Sequence, residues 1–454
     1  MDHLISKYNT PVPRYTSYPP ANFFHDNFAE SQFWEAITHS NTQEPNHLSF
    51  YIHIPFCKRM CYYCGCNSFP MQQEQEVREY RDAIKREINL VCEKISPGRK
   101  ISQIHFGGGS PTAIPLSYIK EINSLLLQKF ECIDNPEIAI ECHPGYMDEH
   151  DFELLADAGF NRISIGIQDF NNAVLKACNR KAPQVPIDRI VTALRNRNIH
   201  INFDFIYGLP LQTTESFEET IQQAIALSPD RLVTFSYAHV PHIFPRQKLL
   251  ERNPLPQDEL KSNIYENAQK LLLHAGYIQV GIDHFVKQND ELSIARQNHT
   301  LHRNFQGYCT RRTTGQVYAF GATAISQLTS AYTQNTKSIN EYIETINKGH
   351  IPVKKGYALS QEEQILREVI TDLMCNNRIN WQEIADRVKL SVAEVKSATT
   401  YDEKKLQEFA DDGITEWSEQ EIRMKQKGSP FVRNVAASLD KLLLQSDKTF
   451  SKPI

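Results

Sequence analysis

The stretch Tyr51–Cys66, YIHIPFCKRMCYYCGC, constrains this chain more than any other. Cys57, Cys61 and Cys64 stand at a C-x3-C-x2-C spacing, and Cys66 follows after one further residue. Cysteine thiolates are the usual ligands of iron–sulfur clusters, and a tight loop with three of them seats three corners of a four-iron cube. The fourth iron is then free of protein ligands and open to a substrate. The alternative is a structural zinc site, which ordinarily pairs two CxxC-like arms across a gap and closes with four tetrahedral ligands. Here all four thiols fall within ten residues, Cys64 and Cys66 are too close to share one metal comfortably, and no second arm is evident.

The loop sits in a chain of 454 residues, long enough for one large domain and a smaller one. With 41% hydrophobic and 23% charged residues it is too apolar for disorder. A net charge of −5 gives no basic field of the kind nucleic acid requires. No apolar run approaches a membrane span, and MDHLISKYNTPVPRY lacks a secretory layout, so a cytoplasmic protein is expected. The remaining cysteines (Cys92, Cys132, Cys142, Cys178, Cys309 and Cys375) are scattered singly and read as small core residues.

From Leu48 strands and helices alternate. LSFYIHI, ISQIHF, EIAIEC, RISIGI, HINFDFI and RLVTFSY read as six strands. Between them lie amphipathic stripes, such as Val77, Tyr80, Ile84, Ile88, Val91 and Ile95, or Ile187, Ile190, Val191 and Leu194. Six βα units in series predict an α/β fold with a parallel, incomplete barrel. Such barrels keep their chemistry at the carboxyl ends of the strands. The cysteine loop, Gly107–Gly109, Glu141, Gln168, Asp204 and Ala238 all fall at or near those ends.

Three glycines after a strand let backbone approach a ligand closely. Glu141 is either an ordinary strand-end carboxylate or, if buried, a charge that needs a partner, which a sulfonium or ammonium group supplies. Gln168, Arg180 and Asp204 are polar where apolar residues are otherwise expected. The first 45 residues show no clear periodicity, and PRYTSYP reads as an extended arm. Beyond Gly356 the pattern turns helical, with capping boxes at Ser360/Glu363 and Thr400/Glu403. ITEWSEQEIRM reads as a short hairpin and Phe431–Leu444 as a last helix. A winged-helix DNA reader would need a basic recognition helix, and none stands out.

The cysteine spacing at the end of a hydrophobic strand resembles the cluster motif of the radical S-adenosylmethionine (radical SAM) enzymes. Within that superfamily, YIHIPFC, Cys66 and PRYTSYPPA resemble the oxygen-independent coproporphyrinogen III oxidases. HFGGGSPT, GIQDFN, DFIYGLP, YAH and HRNFQGY carry the similarity over most of the first 330 residues.

The resemblance implies an incomplete (β/α)6 radical SAM barrel with additional strands, plus a smaller, mainly helical C-terminal domain. Residues 1–46 would form an arm contributing to the active site, 47–355 the barrel with its extension, and 356–454 a helical cap. Cys57, Cys61 and Cys64 would hold a 4Fe-4S cluster. Tyr51, Gly108, Glu141, Ala238 and Ile325 match positions contacting the cluster-bound S-adenosylmethionine. Tyr63, Gly109, Ser110, Gln168, Arg180 and Asp204 match positions of a second S-adenosylmethionine site.

The implied activity is oxidative decarboxylation of two propionates of coproporphyrinogen III to vinyls, in haem biosynthesis. Arg14 and Arg303 are candidates for binding the substrate carboxylates, because guanidinium grips carboxylate in a two-pronged geometry. A small redox protein would donate the electron to a monomeric enzyme with no nucleic-acid partner and no membrane insertion. The sequence departs from the family in one place: Glu-x-Asp-Pro-Arg is replaced by Glu141-Cys142-His143-Pro144-Gly145. The alternatives are a haem chaperone of the same lineage and a radical SAM methyltransferase or tetrapyrrole-modifying relative.

Overall fold

The computed structural model describes residues 2–446, 448 and 450. The six expected strands form in order: β1 (Leu48–Ile54), β2 (Ile101–Gly108), β3 (Cys132–Cys142), β4 (Arg162–Gln168), β5 (His200–Tyr207) and β6 (Arg231–Ser236). All five neighbouring pairs are parallel. The chain continues through β7 (Ile278–Val280), β8 (His284–Val286) and the hairpin β9 (Leu301–Asn304) with β10 (Gly307–Thr310). Four more strands follow: β11 (Gln316–Phe320), β12 (Ile325–Gln327), β13 (Ala331–Asn335) and β14 (Val353–Ala358).

The sheet curls but does not close; its order is β14-β13-β12-β11-β1-β2-β3-β4-β5-β6-β8-β7. β11 adds a seventh parallel strand on the free side of β1, with Leu48 opposite Gln316. The helices Glu74–Cys92, Leu116–Lys129, Ile187–Arg195 and Thr214–Leu227 turn their apolar stripes onto the sheet, burying Ile84, Ile88, Ile119, Ile190 and Ile221 completely. Each such aliphatic side chain contributes about 1.5–3 kcal/mol relative to leaving it in water.

The N-terminal segment differs from the expected irregular arm by having helices at both ends, Asp2–Tyr8 and Glu30–Ser40. The second buries Phe33, Ala36, Ile37 and Ser40, a three- and four-residue spacing that marks an apolar face, and it packs into the barrel core. Tyr8, Tyr15 and Tyr18 instead enter the core of the C-terminal domain. The hydroxyls of Tyr15 and Tyr18 donate to the two oxygens of buried Asp440, each at 2.9 Å.

The C-terminal domain combines helices with a three-stranded antiparallel sheet. The Ser360/Glu363 capping box forms as expected, with Glu363 N–H on Ser360 at 3.2 Å and Ser360 N–H on Glu363 at 2.7 Å. The second helix start is Asp402, whose carboxylate accepts from the amides of Lys404 and Lys405, while Thr400 donates to the Ser438 carbonyl. Asp wins because its carboxylate reaches two first-turn N–H groups. The hairpin forms from Thr415–Trp417 and Glu421–Met424. The expected last helix is broken into Val432–Ser438 and a 3₁₀ turn, Lys441–Gln445, because Asp440 turns in to the two tyrosines and caps Leu442.

Candidate active site

Within the curl of the sheet, from the carboxyl ends of β1–β6 down towards their amino ends, lies a cavity of about 430 Å³. The cysteine loop forms its lip. Phe69 N–H donates to Pro55 O at 2.7 Å and Met71 N–H to Cys57 O at 2.9 Å, which pinches the loop closed at its base. Tyr62 N–H on Cys178 O and the Asn179 amide on Met60 O tie its crown to the segment after β4. Cys57, Cys61, Cys64 and Cys66 all line the cavity. Cys61 is buried and Cys66 exposed.

Burial, with Cys64 and Cys61 close by, pushes the Cys57 thiol up to about 12. Hydrogen bonding from Cys66 brings Cys64 down to about 6. Three crowded thiols resist ionising together unless a cation comes among them. Among the described residues no three His, Cys, Asp or Glu side chains are gathered to share one metal ion. A cube takes one thiolate at each of three separate corners, so the three loop thiols lining one cavity fit a cluster.

The glycine turn is held against the start of that loop: Gly109 N–H donates to Ile54 O and Ser110 N–H to Phe56 O. A Cβ on Gly109 would stand 2.9 Å from the Pro55 and Phe56 backbone. One on Gly108, at φ +119°, would stand 2.7 Å from the His53 ring. These glycines let β2 press against the cysteine loop, with Gly108, Gly109 and Ser110 lining the cavity rim beside it.

Side chains two apart on each strand point the same way, and here the inward set is polar. Glu137 and Glu141 on β3, Arg162, Ser164 and Gln168 on β4, Asn202 and Asp204 on β5, and Arg231 on β6 all reach the cavity. At its floor Arg162 Nε meets Glu137 at 2.9 Å and Arg231 Nε meets Asp290 at 2.8 Å. Burial opposes ionisation of Glu137, but Arg162 and Arg231 outweigh it and hold it near 2. Sequence reasoning missed this floor; its signal was polar residues at every second position of β3–β5.

Higher up, Glu141 Oε1 meets His105 Nε2 at 3.0 Å. Burial works against charge on His105, yet the Glu141 bond and charge outweigh it and raise its pKa. Tyr51 stacks on His105 at 5.9 Å, and its hydroxyl meets His53 Nδ1 at 3.1 Å, while His53 Nε2 meets Asn67 O in the cysteine loop. A continuous contact path thus runs from Glu141 to the loop.

Across the cavity Arg180 donates to Tyr63 Oη at 3.1 Å, to Cys61 Sγ at 3.6 Å and to the Gly166 carbonyl. Gln168 sits at φ +69° with its buried Oε1 unpartnered. Asp204 accepts from Ser164 at 2.7 Å, and burial pushes it up to about 6. One orphaned acceptor and a carboxylate beside a buried guanidinium suit a polar guest that bears charges of both signs.

His143, at the departure from the family pattern, also lines the cavity. Its Nδ1 accepts from Gly145 N–H at 3.0 Å, and burial and Arg180 hold its pKa near 2. The ring is therefore neutral, with Nε2–H its free donor, buried without a partner. It presents a donor to the cavity. A Cβ on Gly145 would lie 2.8 Å from the Lys181 carbonyl, so a larger residue would have to displace that backbone.

Of the sequence-predicted residues, Cys57, Cys61, Cys64, Tyr63, Gly108, Gly109, Ser110, Glu141, Gln168, Arg180 and Asp204 share this cavity. Tyr51 lies just behind it. Ala238 lies outside the lining, its carbonyl accepting from Gln247, and Ile325 packs against a cluster of Phe24, Tyr332 and Leu359. Arg14 is exposed on the arm, and Arg303 borders a different cavity.

A parallel α/β barrel with an open three-cysteine loop at its carboxyl rim defines a radical SAM protein, and residues 51–224 match the Radical SAM superfamily. Residues 359–431 match the HemN C-terminal domain. The chain belongs to the oxygen-independent coproporphyrinogen III oxidase family. It is 36% identical to the protein of that name from Synechocystis, over 99% of this chain and 97% of the relative. Against the Escherichia coli protein identity is 37%, over 97% and 95%. The solved structure of coproporphyrinogen III oxidase (HemN) from Escherichia coli, described as a radical SAM enzyme, superposes with a TM-score of 0.86 at 35% identity, covering 94% of this chain and 97% of that one. Among the described residues no helix is long and apolar enough to cross a membrane.

Proposed function

We propose that this protein converts coproporphyrinogen III to protoporphyrinogen IX without oxygen. The observation that carries the reading is one cavity shared by three loop thiols, the glycine turn and Glu141. Cys57, Cys61 and Cys64 would hold a cluster that, with S-adenosylmethionine, would supply the radical chemistry removing a hydrogen atom from a propionate β-carbon, and loss of carbon dioxide with transfer of one electron to an acceptor would leave a vinyl group.

The chain's part is placement and electrostatics. Gly108 offers backbone at close range, and Glu141, aimed by His105, accepts from the cofactor's ammonium group. Tyr51 steadies the His105 ring, with Ala238 and Ile325 as outer contacts. Tyr63, Gly109, Ser110, Gln168, Arg180 and Asp204 bind a second S-adenosylmethionine: Arg180 faces its carboxylate, and Asp204 faces its cationic end. The fixed Nε2–H of His143 donates to a carboxylate of a guest in the same cavity. The electron comes from a small redox protein, and the enzyme works as a monomer.

The test is anaerobic incubation of reconstituted protein with coproporphyrinogen III, S-adenosylmethionine and a reductant, then chromatography of the oxidised porphyrins. Monovinyl and divinyl products are expected. Their absence would retire the substrate assignment.

A further inference from the structure

A second cavity, of about 630 Å³, lies between the barrel and the C-terminal domain. Its lining residues Glu44, Gly315, Gln316 and Thr329 sit at the amino-terminal ends of β1 and β11, away from the cysteine loop by the length of β1, roughly 20 Å at about 3.3 Å per residue. The β9–β10 hairpin stands between the two spaces: Arg303 borders this cavity, while Asn304, Gln306 and Tyr308 border the other.

Cations dominate its wall. Arg303, Arg311, Arg367, Arg387 and Lys389 face Glu44 and Glu368. Arg311 and Arg387 are offset by Glu368 and Asp372, which they share at 2.5–3.3 Å. Arg367 donates to the carbonyls of Leu328 at 3.1 Å and Thr329 at 2.8 Å and bonds the Tyr332 hydroxyl, and it has no ion pair among the described residues. Arg303 lies over the Tyr308 ring at 4.8 Å and has no ion pair among the described residues. The Nε–H groups of Arg303 and Arg311 are both buried without a partner. Buried guanidinium donors left unpaired are costly, and they point to an anion that completes them. Tyr15, Tyr18, Leu328, Ile365 and Met374 supply apolar surface beside these charges.

We propose that this cavity is a second tetrapyrrole site, binding propionates through Arg303 and Arg367 and the macrocycle against the tyrosine and aliphatic wall. The proposal rests on the function above for the identity of the ligand. It moves Arg303 from the radical site to a holding site for a substrate or product molecule. Cavities of this size accommodate ligands of several rings.

The test is a titration of the anaerobically reconstituted full chain with oxidised coproporphyrin III, a tetracarboxylate that does not react. Wild type is expected to bind two equivalents. Arg367→Gln should weaken one of them about tenfold or more and leave the other unchanged. Thr371→Trp, which fills the cavity from the helix Gln361–Asn376, should abolish it at unaltered iron content.

A single equivalent in wild type, or two tight equivalents in both variants, overturns the proposal. Displacement of the second porphyrin by millimolar inorganic phosphate would reveal a bare anion site and overturn the tetrapyrrole assignment. Turnover is scored separately: products with one porphyrin site defeat the cavity alone, and two sites without products defeat the proposed reaction alone.

Discussion

The cysteine loop, at the rim of its cavity, and the arginine cavity lie at opposite ends of β1, and the two cavities are assembled in different ways. In the first, partners come from alternate positions of adjacent strands, such as Ser164 with Asp204 and His105 with Glu141. In the second, the wall joins the arm at Tyr15 and Tyr18, the β9 strand at Arg303 and two C-terminal helices at Arg367 and Arg387. A site built within one sheet inherits the rigidity of its ladder. A site built between cores depends on how the arm and the C-terminal domain dock, a docking fixed by Asp440 under two tyrosines.

The contrast breaks most sharply at the thiols. Cys57→Ala, Cys61→Ala or Cys64→Ala should each lose bound iron and bring turnover to background, measured by iron analysis and product chromatography. The arginine cavity should be untouched, so the second porphyrin equivalent persists.

Gly109→Ala comes next. Its Cβ must displace backbone at Pro55 and Phe56 rather than a mobile side chain, so a loss of about 1–3 kcal/mol is expected in denaturant unfolding, with reduced iron content. Asp440→Asn acts at the other end. One tyrosine loses its charged acceptor, which should cost about 1–2 kcal/mol and expose the arm to limited proteolysis while iron content holds.

The smallest effect sharpens the electrostatics of the first cavity. Burial lifts Asp204 from an ordinary 3.8 to about 6, with Glu141 raising it further and Ser164, His284 and His105 opposing. The folded state therefore favours the protonated form, and this contribution to stability is present below about 3.8 and lost as pH rises through about 6. The negative charge that attracts a sulfonium exists only above that range. Affinity for S-adenosylmethionine should fall as pH drops below about 6, by about tenfold at most per pH unit. Asp204→Asn should flatten that dependence in a calorimetric titration.

These differences also explain what could be read from the residues alone. The cysteine loop, the glycine turn and Glu141 were legible because each lies at a strand end, where local spacing and barrel geometry agree, and Asp204 because it is a carboxylate inside an apolar strand. Glu137, Arg162 and Arg231 were hidden: the hydrophobic alternation of β3 and β4 drew attention to the outward residues that face the helices. The helix Glu30–Ser40 carried an apolar stripe that the surrounding prolines masked. The break at Asp440 was invisible because its cause, Tyr15 and Tyr18, lies at the far end of the chain. The arginine cavity was beyond sequence for the same reason, and Arg303 was read as a substrate ligand from its motif without knowledge of which side of the hairpin it borders.

The central claim is that three thiols at the strand ends hold an iron cube whose free corner takes S-adenosylmethionine. Electron paramagnetic resonance of the reduced, anaerobically reconstituted protein tests it most directly. A four-iron signal whose shape changes when S-adenosylmethionine is added, and which Cys61→Ala removes, is expected. A protein without iron, or a signal indifferent to both the cofactor and the substitution, would contradict it.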